Sequence, residues 1–136
     1  MDTLAPILAI LFYSLVLGII FAQVLLTTPV IFQVLDESEA SKFLRKLFPR
    51  YYFLLFLITF LALLVSLLFL GKINFYISLV ALAFSFLGYV IIPITNKAKD
   101  KGWDNLFKWL HNLSIFNTII IGLVAVIQIY RFAILS

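Results

Sequence analysis

Cysteine is missing altogether, and methionine occurs once, at position 1. Disulfides, thiolate metal sites, redox dithiols and thioether copper sites are therefore excluded by inventory. Histidine also occurs once, at His111, and charged side chains make up only 12% of the 136 residues, against about a quarter in an ordinary soluble domain. So few charges cannot cover the surface of a water-soluble domain of this length. What replaces them is apolar: 65% of the residues, with 17% aromatic and a mean hydropathy of +1.19. The solvent for such a chain is lipid, and membrane lipids, not nucleic acid, are its expected partners.

The charges that do occur divide the chain into four uncharged runs, Thr3–Leu35, Tyr51–Gly71, Ile73–Asn96 and Trp109–Tyr130, of 33, 21, 24 and 22 residues. A hydrocarbon layer of about 30 Å needs about 20 helical residues, and the short alternating segments of a β-barrel are not seen. The expected fold is all-α: one integral membrane four-helix bundle over residues 1–136. Its predicted spans are 5–28, 50–70, 74–95 and 105–131, with an amphipathic interfacial segment at 37–49. Pro29 is expected to end the first span, leaving the residues up to Leu35 as a lead-out.

Local chemistry predicts the connections. Asp36 and Glu39 form a capping-box-like pair, followed by Phe43, Leu44, Leu47 and Phe48 at helical spacing among Lys42, Arg45 and Lys46. This basic amphipathic stretch runs into the second helix with a bend expected at Pro49. Gly71-Lys72-Ile73-Asn74 is a tight turn with Asn74 as its expected N-cap, Gly102 ends the third helix, and Asp104 caps the fourth. Eight basic residues (Lys42, Arg45, Lys46, Arg50, Lys97, Lys99, Lys101 and Lys108) lie on one side, against Lys72 and Arg131 on the other. Basic loops resist translocation, so both basic loops are expected in the cytoplasm and both termini outside, in the inner (plasma) membrane of a bacterium. Asp2 stands where a signal peptide carries basic residues, so the first helix is expected to be retained.

Apolar side chains do not distinguish a neighbouring helix from a lipid tail, so association depends on close approach at small residues and on interhelical hydrogen bonds. Each predicted helix carries a stripe of small residues: Ser14, Gly18 and Ala22; Thr59, Ala62 and Ser66; Ser78, Ala81, Ser85 and Gly88; Ser114, Thr118, Gly122 and Ala125. All step by three or four residues and are expected to face the bundle interior. Trp103, Trp109, Tyr51, Tyr52 and Tyr89 are expected as interface anchors.

Polar residues concentrate toward the basic end. A pocket there would draw charge from Arg50, a titratable contact from His111, and hydrogen bonds from Tyr51, Asn96, Ser114 and Asn117, a candidate ligand-binding set. The alternative for His111 is an interfacial hydrogen-bonding residue, and Arg50 can equally snorkel to lipid phosphates. No catalytic residues and no metal site are expected. The six acidic residues lie at Asp2 or in the loops, and His111 and Ser114 have no acidic partner within the run. No cofactor is expected in the leading reading.

The elements Leu47-Phe48-Pro49-Arg50-Tyr51-Tyr52, Pro93-Ile94-Thr95-Asn96 and Leu110-His111-Asn112-Leu113-Ser114-Ile115-Phe116-Asn117 together resemble the transmembrane protein 205-like family. That resemblance implies four spans, a Phe-Pro-x-Tyr element opening the second, a proline near the end of the third, and a Leu-His-x-x-Ser-x-x-Asn element in the fourth. It marks Pro49, Tyr51, Pro93, His111, Ser114 and Asn117 as family positions. An animal member is associated with platinum-drug resistance and has been imagined as a metal-drug exporter. This chain departs from that picture, because soft metals want sulfur ligands and none exist beyond Met1.

The expected function is that of a non-enzymatic, homo-oligomeric membrane protein whose cytoplasm-facing polar pocket binds or helps move a small molecule or a lipid headgroup. The alternative is a haem-binding redox subunit with His111 from two chains as axial ligands. A third reading is an assembly protein for a partner membrane subunit.

Overall fold

The computed structural model describes residues 2–135, and every regular element among them is helical. The first span consists of α1 (Leu4–Phe21), a π-helical stretch (Ala22–Thr27) and α2 (Thr28–Val34). The second is α3 (Glu37–Val65) running into another π-helical stretch (Ser66–Leu70), the third is α4 (Lys72–Asp100) and the fourth is α5 (Asp104–Leu135). All four spans are long and apolar enough to cross a membrane. The chain is thus an integral membrane protein by length and composition, and its fold is an all-α four-helix bundle.

The spans pack in a ring. α3 and α5 each lie against both α1 and α4, while the backbones of α1 and α4 stay apart, as do those of α3 and α5, among the described residues. Sequential helices joined by short turns give this up-and-down arrangement. The core is drawn from Tyr13, Val16 and Ile20 on α1, Tyr51, Tyr52, Leu55, Ile58 and Ala62 on α3, and Ile121 and Ala125 on α5. α4 contributes small side chains, with Ser78, Ala81, Ser85 and Gly88 all buried, so its neighbours approach its backbone closely. Large apolar side chains instead cover the outside, among them Leu25, Leu26 and Leu68, each more than 60% exposed. A bundle with leucine outside and serine inside is built for hydrocarbon.

Several local expectations meet the structure directly. The Asp36 side chain accepts from the Glu39 N–H at 2.8 Å and caps α3. Gly102 adopts φ +70°, and the bonds Gly102 N–H to Lys99 O (3.3 Å) and Trp103 N–H to Ala98 O (2.9 Å) close α4 in a Schellman arrangement. Asn74 does not cap. The turn is made by Gly71 at φ +86°, and Asn74 lies inside α4, donating from Nδ2 to Leu70 O at 2.8 Å.

Two corrections concern the first span. Pro29 does not end the helix, which continues to Val34. Proline has no N–H to give the preceding turn, and the turn widens: the Thr28 N–H bonds to Gln23 O, five residues back. Gln23 braces the widened turn by donating to Thr28 Oγ1 at 3.0 Å. The small-residue stripe Ser14, Gly18, Ala22 faces outward, not into the bundle. The interior is taken by Ala5, Ala9, Tyr13, Val16 and Ile20, because the Tyr13 hydroxyl finds its partner across the core. The stripes of α3 and α4 are buried as expected; on α5 only Ala125 is fully buried.

Candidate functional site

At the end of the bundle that carries the basic connections, α3 brings two consecutive tyrosines inside. Tyr51 and Tyr52 are both buried, so neither is the interface anchor expected from its ring. Their rings meet edge to face at 4.9 Å, with Phe48 edge-on to Tyr51 at 6.4 Å. The Tyr52 ring lies on the backbone of α4 at Gly88, where an added Cβ would come within 2.2 Å of the ring. Beyond Gly88 the Tyr52 hydroxyl reaches α5, 3.4 Å from Ser114 O and 3.5 Å from Thr118 Oγ1. These are long, weak bonds with capacity for another partner.

Asn117 belongs to the same face of α5, three residues after Ser114. It is fully buried, and among the described residues neither its Oδ1 nor its Nδ2 has a hydrogen-bond partner. Elsewhere in the bundle two buried hydroxyls satisfy themselves on their own helices: Thr59 on Leu55 O at 2.8 Å and Ser85 on Ala81 O at 2.9 Å. An amide cannot do this with both its atoms, and leaving it unpaired costs roughly 1–3 kcal/mol. The arrangement of two tyrosines, a serine, a threonine and an unpartnered amide can donate and accept hydrogen bonds, and it contains no nucleophile–base pair.

Of the six expected site residues, Tyr51, Ser114 and Asn117 lie in or beside this cluster. Arg50 does not: it is exposed and folds back to donate from Nη1 to Lys46 O at 3.0 Å. His111 is exposed too, stacked on Phe107 one turn earlier at 6.0 Å. Asn96 is half-buried near the end of α4 and makes no hydrogen bond to the cluster. Sequence reasoning missed Tyr52 and Gly88 as a pair. The signal was a large ring and a missing side chain on different helices, with no spacing rule to connect them. Among the described residues, no three side chains of the His, Cys, Asp or Glu types come together to hold a metal.

A second polar group occupies the opposite end of the bundle. Tyr13 on α1 and Ser78 on α4 share a hydrogen bond of 2.6 Å across the core, and Ser66 joins Ser78 at 3.1 Å. Nearer that end, Gln128 and Arg131 on α5 both donate to Asn74 Oδ1, each at 3.4 Å.

At the solvent-exposed ends of α3 and α4, beyond the uncharged runs Tyr51–Gly71 and Ile73–Asn96, Arg45 grips Asp100 with both ends of its guanidinium: Nη1 to Oδ2 at 2.9 Å, and Nη2 to Oδ1. The hydrogen bonds from Arg45 hold the Asp100 carboxyl below the usual carboxylate range. The pair ties α3 to α4 where the basic connections gather.

Over residues 11–104 the sequence matches the family model described as a domain of unknown function, DUF4149. No curated protein and no solved structure matches the chain.

Proposed function

The chain belongs to the DUF4149 family, whose description names no activity, and on that premise we propose a transmembrane protein 205-like, non-enzymatic membrane protein that binds a small molecule or a lipid headgroup at its basic end. The carrying observation is Asn117, whose buried amide has no hydrogen-bond partner among the described residues and which directly precedes Thr118, where the Tyr52 hydroxyl reaches α5. A ligand with both donor and acceptor groups supplies what the amide lacks. Ser114 and Thr118, its neighbours along α5, are the groups that the Tyr52 hydroxyl meets, and Tyr51 packs on Tyr52; Arg50 and His111 are exposed and would meet an incoming headgroup. In this reading the basic connections face the cytoplasm of a bacterial cell, and the working unit is a homo-oligomer. The outward stripe of Ser14, Gly18 and Ala22 favours such an assembly, because small residues on a lipid-facing surface let a second backbone approach.

Native mass spectrometry of protein extracted in mild detergent tests the site. Wild type is expected to carry a bound species that Asn117→Leu releases, while the variant's thermal midpoint rises, since leucine removes an unpartnered amide. Retention of the same species by Asn117→Leu overturns the proposal. A haem mass with a Soret band, lost in His111→Ala, replaces it with the redox reading.

A further inference from the structure

Arg131 is the last charged side chain of α5, and it departs from the usual behaviour of an arginine near a helix end. Such a residue extends toward the headgroups and hydrates. Arg131 is half-buried and turned toward α4. Its one side-chain hydrogen bond among the described residues is the 3.4 Å contact from Nη2 to Asn74 Oδ1, and Nε is enclosed without a partner there. Asn74 is held in that orientation by its own bond to Leu70 O. Its Oδ1 is shared with Gln128 Nε2, which leaves the fully buried Gln128 Oε1 unpartnered as well. Among the described residues no carboxylate lies within ion-pair distance of Arg131, the two ion pairs being Lys42–Glu39 and Arg45–Asp100.

A guanidinium stays charged at any physiological pH, and a charge drawn into low dielectric needs a counter-charge. One shared amide oxygen is a poor match for five N–H donors. Among the described residues Nη1 makes no hydrogen bond, and it is not one of the enclosed, unpartnered atoms as Nε is. We propose that Arg131, positioned by Asn74 and Gln128, binds a phosphate group at the end of the bundle away from the basic connections. The site is separate from the Asn117 cluster and does not depend on it. The phosphate belongs either to a phospholipid of that leaflet or to a soluble phosphate compound.

The test uses the full chain in mild detergent, stripped of lipid, with native mass spectrometry as the readout. Three probes are titrated: phosphatidylglycerol, a diacylglycerol with the same acyl chains, and inorganic phosphate. Wild type is expected to prefer phosphatidylglycerol over diacylglycerol, or to bind phosphate, and Arg131→Gln to weaken the responding probe about tenfold. Arg131→Lys keeps the charge but loses the planar fork and is expected to fall between the two. Lys72→Gln, which removes the other Lys or Arg side chain at this end, is expected to bind as wild type does. An Arg131-dependent response to phosphatidylglycerol alone assigns the site to lipid; one to inorganic phosphate assigns it to a soluble ligand. Binding unchanged in Arg131→Gln overturns the proposal, as does a loss in Lys72→Gln equal to that in Arg131→Gln. Asn117→Leu is expected to leave this binding intact, so the two sites fail or stand independently.

Discussion

At the scale of single residues, the glycines show how differently the same residue type is used. Gly88 lies under the Tyr52 ring, and a methyl group there would sit 2.2 Å from the ring. Gly18 has nothing within 4 Å of the position its Cβ would occupy. Gly88→Ala is therefore expected to destabilise the protein by about 1–3 kcal/mol, the usual cost of overpacking a close contact. Gly18→Ala is expected to leave the monomer's stability unchanged or slightly raised, because alanine favours helix. Thermal unfolding of the two variants in the same detergent makes the comparison, and an equal effect at both positions contradicts it. Neither role was legible in the sequence, where both glycines belong to small-residue stripes of the same spacing. The difference comes from the neighbouring helix, which a single helix's periodicity does not report. Asn117 was legible as a site candidate because an amide in an apolar run is unusual. That its partners are absent is a property of the packing.

At the scale of elements, the four spans were legible because the hydrophobic runs are long and interrupted by charge, a signal that bilayer thickness enforces. Which face of each helix turns inward was less so. For α3 and α4 the small stripe is also the buried stripe, since nothing on those helices competes with it. On α1 the competitor is Tyr13, a polar side chain that hydrocarbon will not accept unpaired and that finds Ser78 inside. The helix rotates to bury Tyr13 and turns Ser14, Gly18 and Ala22 to the outside. The outward stripe then bears on assembly. Gly18→Leu fills it with a bulky side chain without touching the bundle, and is expected to dissociate a homo-oligomer while preserving helicity and thermal midpoint. Size-exclusion chromatography with light scattering reads the mass, and an unchanged oligomer in Gly18→Leu removes this face from the interface. The extension of the first span beyond Pro29 was also hidden, because the widened turn is a response to the missing N–H that depends on Gln23 bracing Thr28.

At the scale of the whole molecule, the ring of four helices leaves two diagonals without backbone contact, and a tyrosine spans each. Tyr13 reaches from α1 to Ser78 on α4 near one end, and Tyr52 reaches from α3 to Ser114 and Thr118 on α5 near the other. A tyrosine fits this task because its ring is rigid and apolar through the core while its hydroxyl supplies the directional bond at the far side. The diagonal polar contacts fix which helices oppose one another, which apolar packing in lipid leaves weakly determined. Between α3 and α4 the ends are tied instead by Arg45 and Asp100, 55 residues apart in sequence and exposed to solvent. That pair has a pH dependence whose sign follows from its chemistry. The Asp100 carboxyl is held below its ordinary value by the hydrogen bonds from Arg45, so the folded state favours the ionised form. Its contribution is complete above the unfolded value of about 3.9 and is lost as pH falls through the lowered folded value. Wild type is thus expected to unfold at a higher temperature than Asp100→Asn at neutral pH, with the gap closing only under acid conditions. Because the pair is exposed, added salt is expected to narrow the gap as well. Thermal unfolding of both proteins across acid and neutral buffers checks this, and a gap that persists below the lowered carboxyl value rules out the ion pair as its source.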